Sequence, residues 1–151
     1  MVIVEPYFDS YIKTASILGV KPVGLPLKFG PEDQKAYDSL EAGSERSFSA
    51  ADLRLDLNQL EHLITPKTKM LVLNTPHNPT GKVFSRQELS DICSLMQKYP
   101  QVLILSDEVY EFMCFDGLSH ERIATMPDMF DRVISLFSAG KTFSCTGWRV
   151  G

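Results

Sequence analysis

The 151-residue sequence predicts an α/β fold, a mainly parallel sheet with helices on both faces. Three observations carry this. The short apolar runs Met70-Leu71-Val72-Leu73, Val102-Leu103-Ile104-Leu105 and Val133-Ile134-Ser135-Leu136-Phe137 have the length and composition of buried strands. Segments with helical spacing alternate with such runs. The connections are short, which selects right-handed crossovers between parallel strands.

Val2-Ile3-Val4 is β-branched and ends at Pro6, as a short strand entering a loop does. Asp9 is placed to cap a helix through Ile12, Ala15, Ile17 and Leu18, which Gly19 terminates. Gly24 and Pro26 interrupt Val23 to Leu27, so that strand is expected towards a sheet edge. From about 28 to 52 the composition turns to Gly, Pro, Ser, Asp and Glu without a period, and a long surface loop is expected. Asp56 opens a helix with Leu57, Leu60 and Ile64 on one face, ended by Pro66. Ser85-Arg86-Gln87-Glu88 is a capping box, followed at helical spacing by Leu89, Ile92, Cys93 and Met96. A less regular segment runs through Pro127, and a short helix after it precedes the strand at 133–137. Val2 to Val4 reads as a strand with nothing before it, and Trp148-Arg149-Val150-Gly151 as the start of another. A fragment of a longer chain is expected.

A net charge of −4 leaves no basic footprint for nucleic acid. No apolar stretch approaches the ~20 residues that span a bilayer, so no membrane partner is expected. The first residues lack the basic flank and apolar segment of a signal peptide. Cys93, Cys114 and Cys145 are widely spaced without a metal-like pairing, which favours reduced thiols in a cytosol-like compartment. Cytoplasmic localisation is expected, with the mitochondrion as the alternative if a targeting segment lies upstream.

The ends of the strands at Leu73, Leu105 and Phe137 are each followed at once by polar residues, and in a parallel sheet those ends share one edge. The first cluster is Asn74-Thr75-Pro76-His77-Asn78-Pro79-Thr80-Gly81. Two prolines and a glycine fix the turn, and Asn78 held in it can donate to a ligand oxygen. The alternative is an ordinary proline-rich turn with a solvated His77. The second cluster is Ser106-Asp107-Glu108-Val109-Tyr110. A carboxylate directly off a buried strand needs a cationic partner, and a protonated pyridine nitrogen would serve Asp107. Tyr110 then lies near the ring's phenolate oxygen, while Glu108 and Glu111 face solvent or pair with basic residues. Asp107 as a plain helix cap is the alternative. The third cluster is Ser138-Ala139-Gly140-Lys141-Thr142 with Arg149. A partly desolvated Lys141 amine loses charge and becomes nucleophilic towards carbonyls, which points to a Schiff base with an aldehyde cofactor. Arg149 offers a planar fork and Ser138 a hydroxyl for phosphate, and Thr142 is a further candidate. The alternatives are a solvated lysine and a surface ion pair.

The ordered series His77-Asn78-Pro79-Thr80-Gly81, Asp107-Glu108-Val109-Tyr110, Ser138-x-x-Lys141 and Thr146-Gly147-Trp148-Arg149 resembles the class I, fold type I pyridoxal-phosphate aminotransferases. Glu5-Pro6-Tyr7-Phe8-Asp9, Phe115-Asp116-Gly117-x-x-His120 and Ser138 to Ser144 resemble most the kynurenine aminotransferase, glutamine transaminase K and cysteine-conjugate β-lyase branch. The resemblance implies that residues 1–151 are the central part of a large, cofactor-binding domain, without the small domain. It implies pyridoxal 5'-phosphate as cofactor, and amino-group transfer between an amino acid such as kynurenine and 2-oxoglutarate. Lys141 would carry the aldimine and shuttle the proton, Asp107 would pair with the pyridine nitrogen, and Tyr110 and Asn78 would bond the phenolic oxygen. Asn78 would also lie near the substrate carboxylate, and Ser138 and Arg149 would hold the phosphate. No metal is implied. The aromatic that stacks on the ring would lie before residue 1, the arginine for the substrate carboxylate after residue 151, and the full-length family forms homodimers. A non-catalytic fragment that at most binds the cofactor or a partner chain, and a β-lyase acting on cysteine conjugates, are the alternative outcomes.

Overall fold

The computed structural model describes residues 1–40 and 47–151. Its strands are β1 (Val2–Glu5), β2 (Val23–Phe29), β3 (Leu53–Leu55), β4 (Met70–Asn74), β5 (Leu103–Asp107) and β6 (Val133–Leu136). They form one sheet in the order β3-β2-β1-β4-β5-β6, parallel except where β3 runs against β2. The helices are α1 (Ser10–Ile17), α2 (Pro31–Asp38), α3 (Leu57–Leu63), α4 (Arg86–Met96) and the single turn α5 (Ala139–Thr142). The mainly parallel α/β sheet is as the sequence predicts.

Register partners in a parallel ladder share a face. Val2 pairs with Leu71, Leu71 with Ile104, and Ile104 with Val133, so these residues line one side of the sheet. That side carries the core, where Val2, Val4, Leu71, Leu73 and Ile104 pack with Leu60 of α3, Leu89, Ile92 and Met96 of α4, and Ile123 and Met126. The other side is covered unevenly. Ile3 and Val72 are buried there, whereas Leu103, Ile134 and Leu136 at the β5–β6 end are 38%, 44% and 38% exposed. α1 lies over this second side, since its Tyr11 hydroxyl reaches Asp107, so helices do cover both faces.

Several local expectations are corrected. β2 lies towards the edge as expected, but β3, absent from the sequence reading, pairs outside it through Leu27–Leu55 and Phe29–Leu53. The predicted loop over 28–52 contains α2 and a 3-10 turn at Ala50–Asp52, while its residues 41–46 lie outside the described residues. α2 buries no residue and therefore shows no apolar period. Its order comes from Pro31 in the first turn, Glu32 and Asp33 at the positive end of the dipole, and Tyr37 packed on Phe29 and Phe48. Asp9 does not cap α1 through its side chain; it pairs with Lys13 instead. The short helix after Pro127 is a 3-10 turn at Phe130–Arg132, and the last residues form a 3-10 turn at Thr146–Trp148 rather than a strand.

The asymmetry of the two faces predicts a contrast. Leu73→Ala, which opens a cavity in the packed face, should destabilise the chain by about 3 kcal/mol, and Ile134→Ala by less than about 1 kcal/mol, as measured by urea denaturation.

Candidate functional site

The carboxyl ends of β4, β5 and β6 open onto a cavity of about 370 Å³. Asn78, Asp107, Tyr110, Ser138, Lys141 and Arg149, the six residues singled out by the three clusters, all line it. Thr142 does not.

Asp107 is the last residue of β5, and the pleat turns it to the thinly covered face. It is 8% exposed. Its carboxylate accepts from the Tyr11 hydroxyl and, at 3.3 Å, from the Val109 N–H. Burial first, then the bond to Asp107 and its charge, push the Tyr11 phenol well above the usual tyrosine range, so Tyr11 stays a donor. Both of these donors are neutral, which leaves the carboxylate at the cavity wall suited to a cationic N–H.

Asn74, which closes β4, organises the neighbouring turn. Its amide donates to the Asp107 carbonyl at 2.8 Å and accepts from the Asn78 N–H at 2.6 Å. The Thr75 N–H also reaches the Asp107 carbonyl at 3.1 Å. The turn closes through Gly81 N–H to His77 carbonyl at 2.7 Å, with Gly81 at a positive φ of 77°. His77 is buried, not solvated, with Nδ1 2.8 Å from the Thr80 hydroxyl and a further bond to the Pro6 carbonyl. It ties the Asn78 turn to the loop that bears Phe8 and leads into α1. Burial, and then the Lys82 charge, lower the His77 pKa to about 4. Lys82 itself is fully enclosed and pairs with Glu88 at 2.7 Å, beneath the capping box of α4.

Lys141 sits in α5, which Ser138 precedes at the N-cap position. The Ser138 carbonyl accepts from the Lys141 and Thr142 N–H groups, each at 3.1 Å. The Lys141 amine lies 5.8 Å from the centre of the Tyr110 ring. Gly140 suits this position, because a Cβ would stand a tight 3.0 Å from the Thr146 Cα and 3.3 Å from the Ser138 hydroxyl. Its small size lets the 145–149 segment lie close on α5. Arg149, at φ 55°, donates to the Thr146 carbonyl at 3.2 Å with its guanidinium at the cavity.

Phe8, Tyr11 and Asn74 carry no site role in the sequence analysis. Phe8 and Tyr11 line the cavity from the β1–α1 loop and α1, their rings edge-to-face at 6.0 Å. Asn74 stands at the head of the first cluster and acts through the turn that it holds. Glu108 was expected to face solvent or pair with basic residues; it is fully buried and does the latter, with His120 at 2.8 Å and Arg122 at 3.8 Å. Glu111 pairs with Arg122. Phe8 falls within the Glu5-Pro6-Tyr7-Phe8-Asp9 stretch that carries the family resemblance, and Tyr11 lies just beyond it.

The donor set fits a phosphorylated pyridine aldehyde: an amine for the carbonyl, a buried carboxylate for a ring N–H, and a hydroxyl and a guanidinium for phosphate. The comparisons agree with this chemistry. The family model for aminotransferase class I and II matches residues 1–151. A kynurenine–oxoglutarate transaminase of Dictyostelium discoideum is 42% identical over 153 residues, covering 100% of this chain and 34% of that protein. Kynurenine–oxoglutarate transaminase 1 of Homo sapiens is 44% identical over 151 residues, covering 100% and 33%. Among solved structures, Bna3p of Saccharomyces cerevisiae superposes with a TM-score of 0.85 at 38% identity, over 99% of this chain and 33% of that one. The aromatic aminotransferase of Pyrococcus horikoshii gives 0.80 at 33% identity, over 99% and 35%. The chain spans about a third of the length of these relatives.

Two predictions follow from the geometry. Tyr11→Phe removes a donor to a buried carboxylate and should lower stability by about 1–2 kcal/mol in urea denaturation; an unchanged midpoint would mean the bond contributes nothing. His77 takes its proton near 6.5 when unfolded but only near 4 when folded. The unfolded chain therefore binds more protons in that window, and stability falls as pH drops from about 6.5 towards 4. Above the window His77 contributes no pH dependence. His77→Gln should show a shallower loss of stability than the wild type between these values when the two are melted at successive pH.

Proposed function

The chain belongs to the class I and II aminotransferases, and on that premise we propose that residues 1–151 are part of a cofactor-binding domain that holds pyridoxal 5'-phosphate. Pyridoxal 5'-phosphate is the cofactor of this family. The observation that carries the reading is the single cavity shared by the Lys141 amine, the Asp107 carboxylate and the Arg149 guanidinium.

When bound, the cofactor supplies an aldehyde to capture amines and a pyridine ring to take up electrons. Asp107 holds a proton at the ring nitrogen, with Tyr11 and the Val109 N–H orienting its oxygens. Tyr110 and Asn78 would donate to the ring's phenolic oxygen, and the Asn74 amide holds the Asn78 backbone in place. Ser138 and Arg149 would bind the phosphate. Lys141 would supply the amine for the aldehyde carbon and accept and return a proton at Nζ. The Asn78 amide would also serve the carboxylate of the substrate.

The reaction proposed is amino-group transfer between an amino acid such as kynurenine and 2-oxoglutarate, supported by the names of the relatives. A second reading is cofactor binding without turnover, supported by the span of about a third of those relatives. Elimination from cysteine conjugates uses the same residues and is told apart by its products, pyruvate and ammonia rather than a new amino acid.

Mixing the purified chain with pyridoxal 5'-phosphate should give a visible absorption band that Lys141→Ala lacks. A band that survives in Lys141→Ala, or none in the wild type, would overturn the reading. A band without transfer of amino groups would favour the second reading.

A further inference from the structure

The cavity accounts for Asp107 but not for its neighbour. Glu108 is 0% exposed, and an enclosed carboxylate is sustained only by donors that replace water. Burial alone would raise its pKa; bonds from His120 and Ser135 outweigh that and hold the carboxyl below its usual range. Oε2 lies 2.8 Å from His120 Nε2 and 3.8 Å from Arg122 Nε, and Oε1 accepts from the Ser135 hydroxyl at 3.0 Å. An ionised acceptor requires that Nε2 carry the proton.

These contacts span three pieces of the site. Ser135 belongs to β6, three residues before Ser138, and the Glu108 N–H bonds the Leu136 carbonyl at 2.9 Å. His120 and Arg122 close the loop that begins with Val109 and Tyr110. Arg122 further pairs with Glu111 and stands 5.0 Å over the Phe137 ring, the residue next to Ser138. Glu108 is therefore bonded at once to the strand leading to Lys141 and to the far end of the loop that begins at Tyr110.

We propose that Glu108 and His120 are positioning residues, a buried hydrogen-bonded strut that fixes Tyr110 and the Ser138–Lys141 turn relative to Asp107. The inference rests on the cavity being the cofactor site. Neither residue lines the cavity, so their effect passes through the residues that do.

The test uses the full chain with pyridoxal 5'-phosphate as probe. His120→Leu removes the donor, and His120→Gln returns an N–H where Nε2 stood. His120→Leu should weaken cofactor binding about tenfold and shift the pH midpoint of the bound cofactor's absorption, while His120→Gln stays within about twofold of wild type. In the unliganded chain, amides of 109–122 and 138–142 should exchange faster in His120→Leu, with β1 and β4 protected as in wild type. Unchanged binding and exchange in His120→Leu, or equal weakening in both variants, overturns the proposal. If His120→Leu does not fold, Ser135→Ala replaces it, with binding weakened about threefold expected and no change overturning. If the wild type takes up no cofactor, the reading of the cavity fails and exchange alone decides: faster exchange at 138–142 supports the strut, and unchanged exchange overturns it.

Discussion

The pleat at the end of β5 divides two adjacent carboxylates between opposite faces of the sheet. Leu105, Asp107 and Leu136 face one way; Ile104, Ser106, Val133 and Ser135 face the other. Asp107 is delivered to the cavity and to Tyr11, and Glu108 to Ser135 and His120 on the packed side. Two like charges one residue apart would raise each other's pKa if they shared a pocket. Separated by the sheet, each finds its own donors. A one-residue slip of β5 would exchange them, sending Asp107 into the core and Glu108 to the cavity. The register with β4 and β6 is thus a chemical requirement as well as a structural one.

Around that point the polar ends of the strands are cross-linked by groups with little conformational freedom. The Asp107 carbonyl accepts from both the Asn74 amide and the Thr75 N–H. Asn74 in turn fixes Asn78, and His77 binds the same turn to Pro6. A neutral His77 suits this position, because it bonds two oxygens without placing a charge beside the enclosed Lys82. The order of the cavity wall is therefore established by bonds among protein groups before any ligand arrives, which lowers the ordering entropy that binding would otherwise oppose.

Much of this was legible in the sequence where the signal is local. β4 and β5 announce themselves as continuous apolar runs, and α4 by a capping box ahead of a regular apolar stripe. The convergence of the three polar clusters follows from parallel topology alone. What escaped depends on distant partners. β3 is three residues long and has meaning only against β2. α2 is held by its end chemistry and a ring cluster, neither of which leaves a period. Tyr11 meets Asp107 across 96 residues, and no pattern around Ser10 or Ile12 encodes that meeting. The burial of Glu108 depends on His120, 12 residues on and beyond an irregular loop. A carboxylate reads as solvated until its donors are located.

The cavity's two walls differ in how they are held. The Asp107 wall rises from β5, an interior strand between β4 and β6, with a packed core behind it. The wall of Lys141 and Arg149 rises from the edge strand β6, whose Ile134 and Leu136 are among the exposed apolar residues. Within that wall the backbone is tightened by short-range bonds, Cys145 N–H to Gly140 carbonyl at 3.0 Å and Trp148 N–H to Cys145 carbonyl at 2.9 Å. Such bonds shape a turn but do not seat it on the sheet. The contacts that do are Glu108 with Ser135 and Leu136, and Arg122 over Phe137. For an amine to meet a carbonyl held against Asp107, an error of even 1 Å between the walls matters. The carboxylate hidden behind the sheet is consequently as much a part of the site's geometry as the one in view.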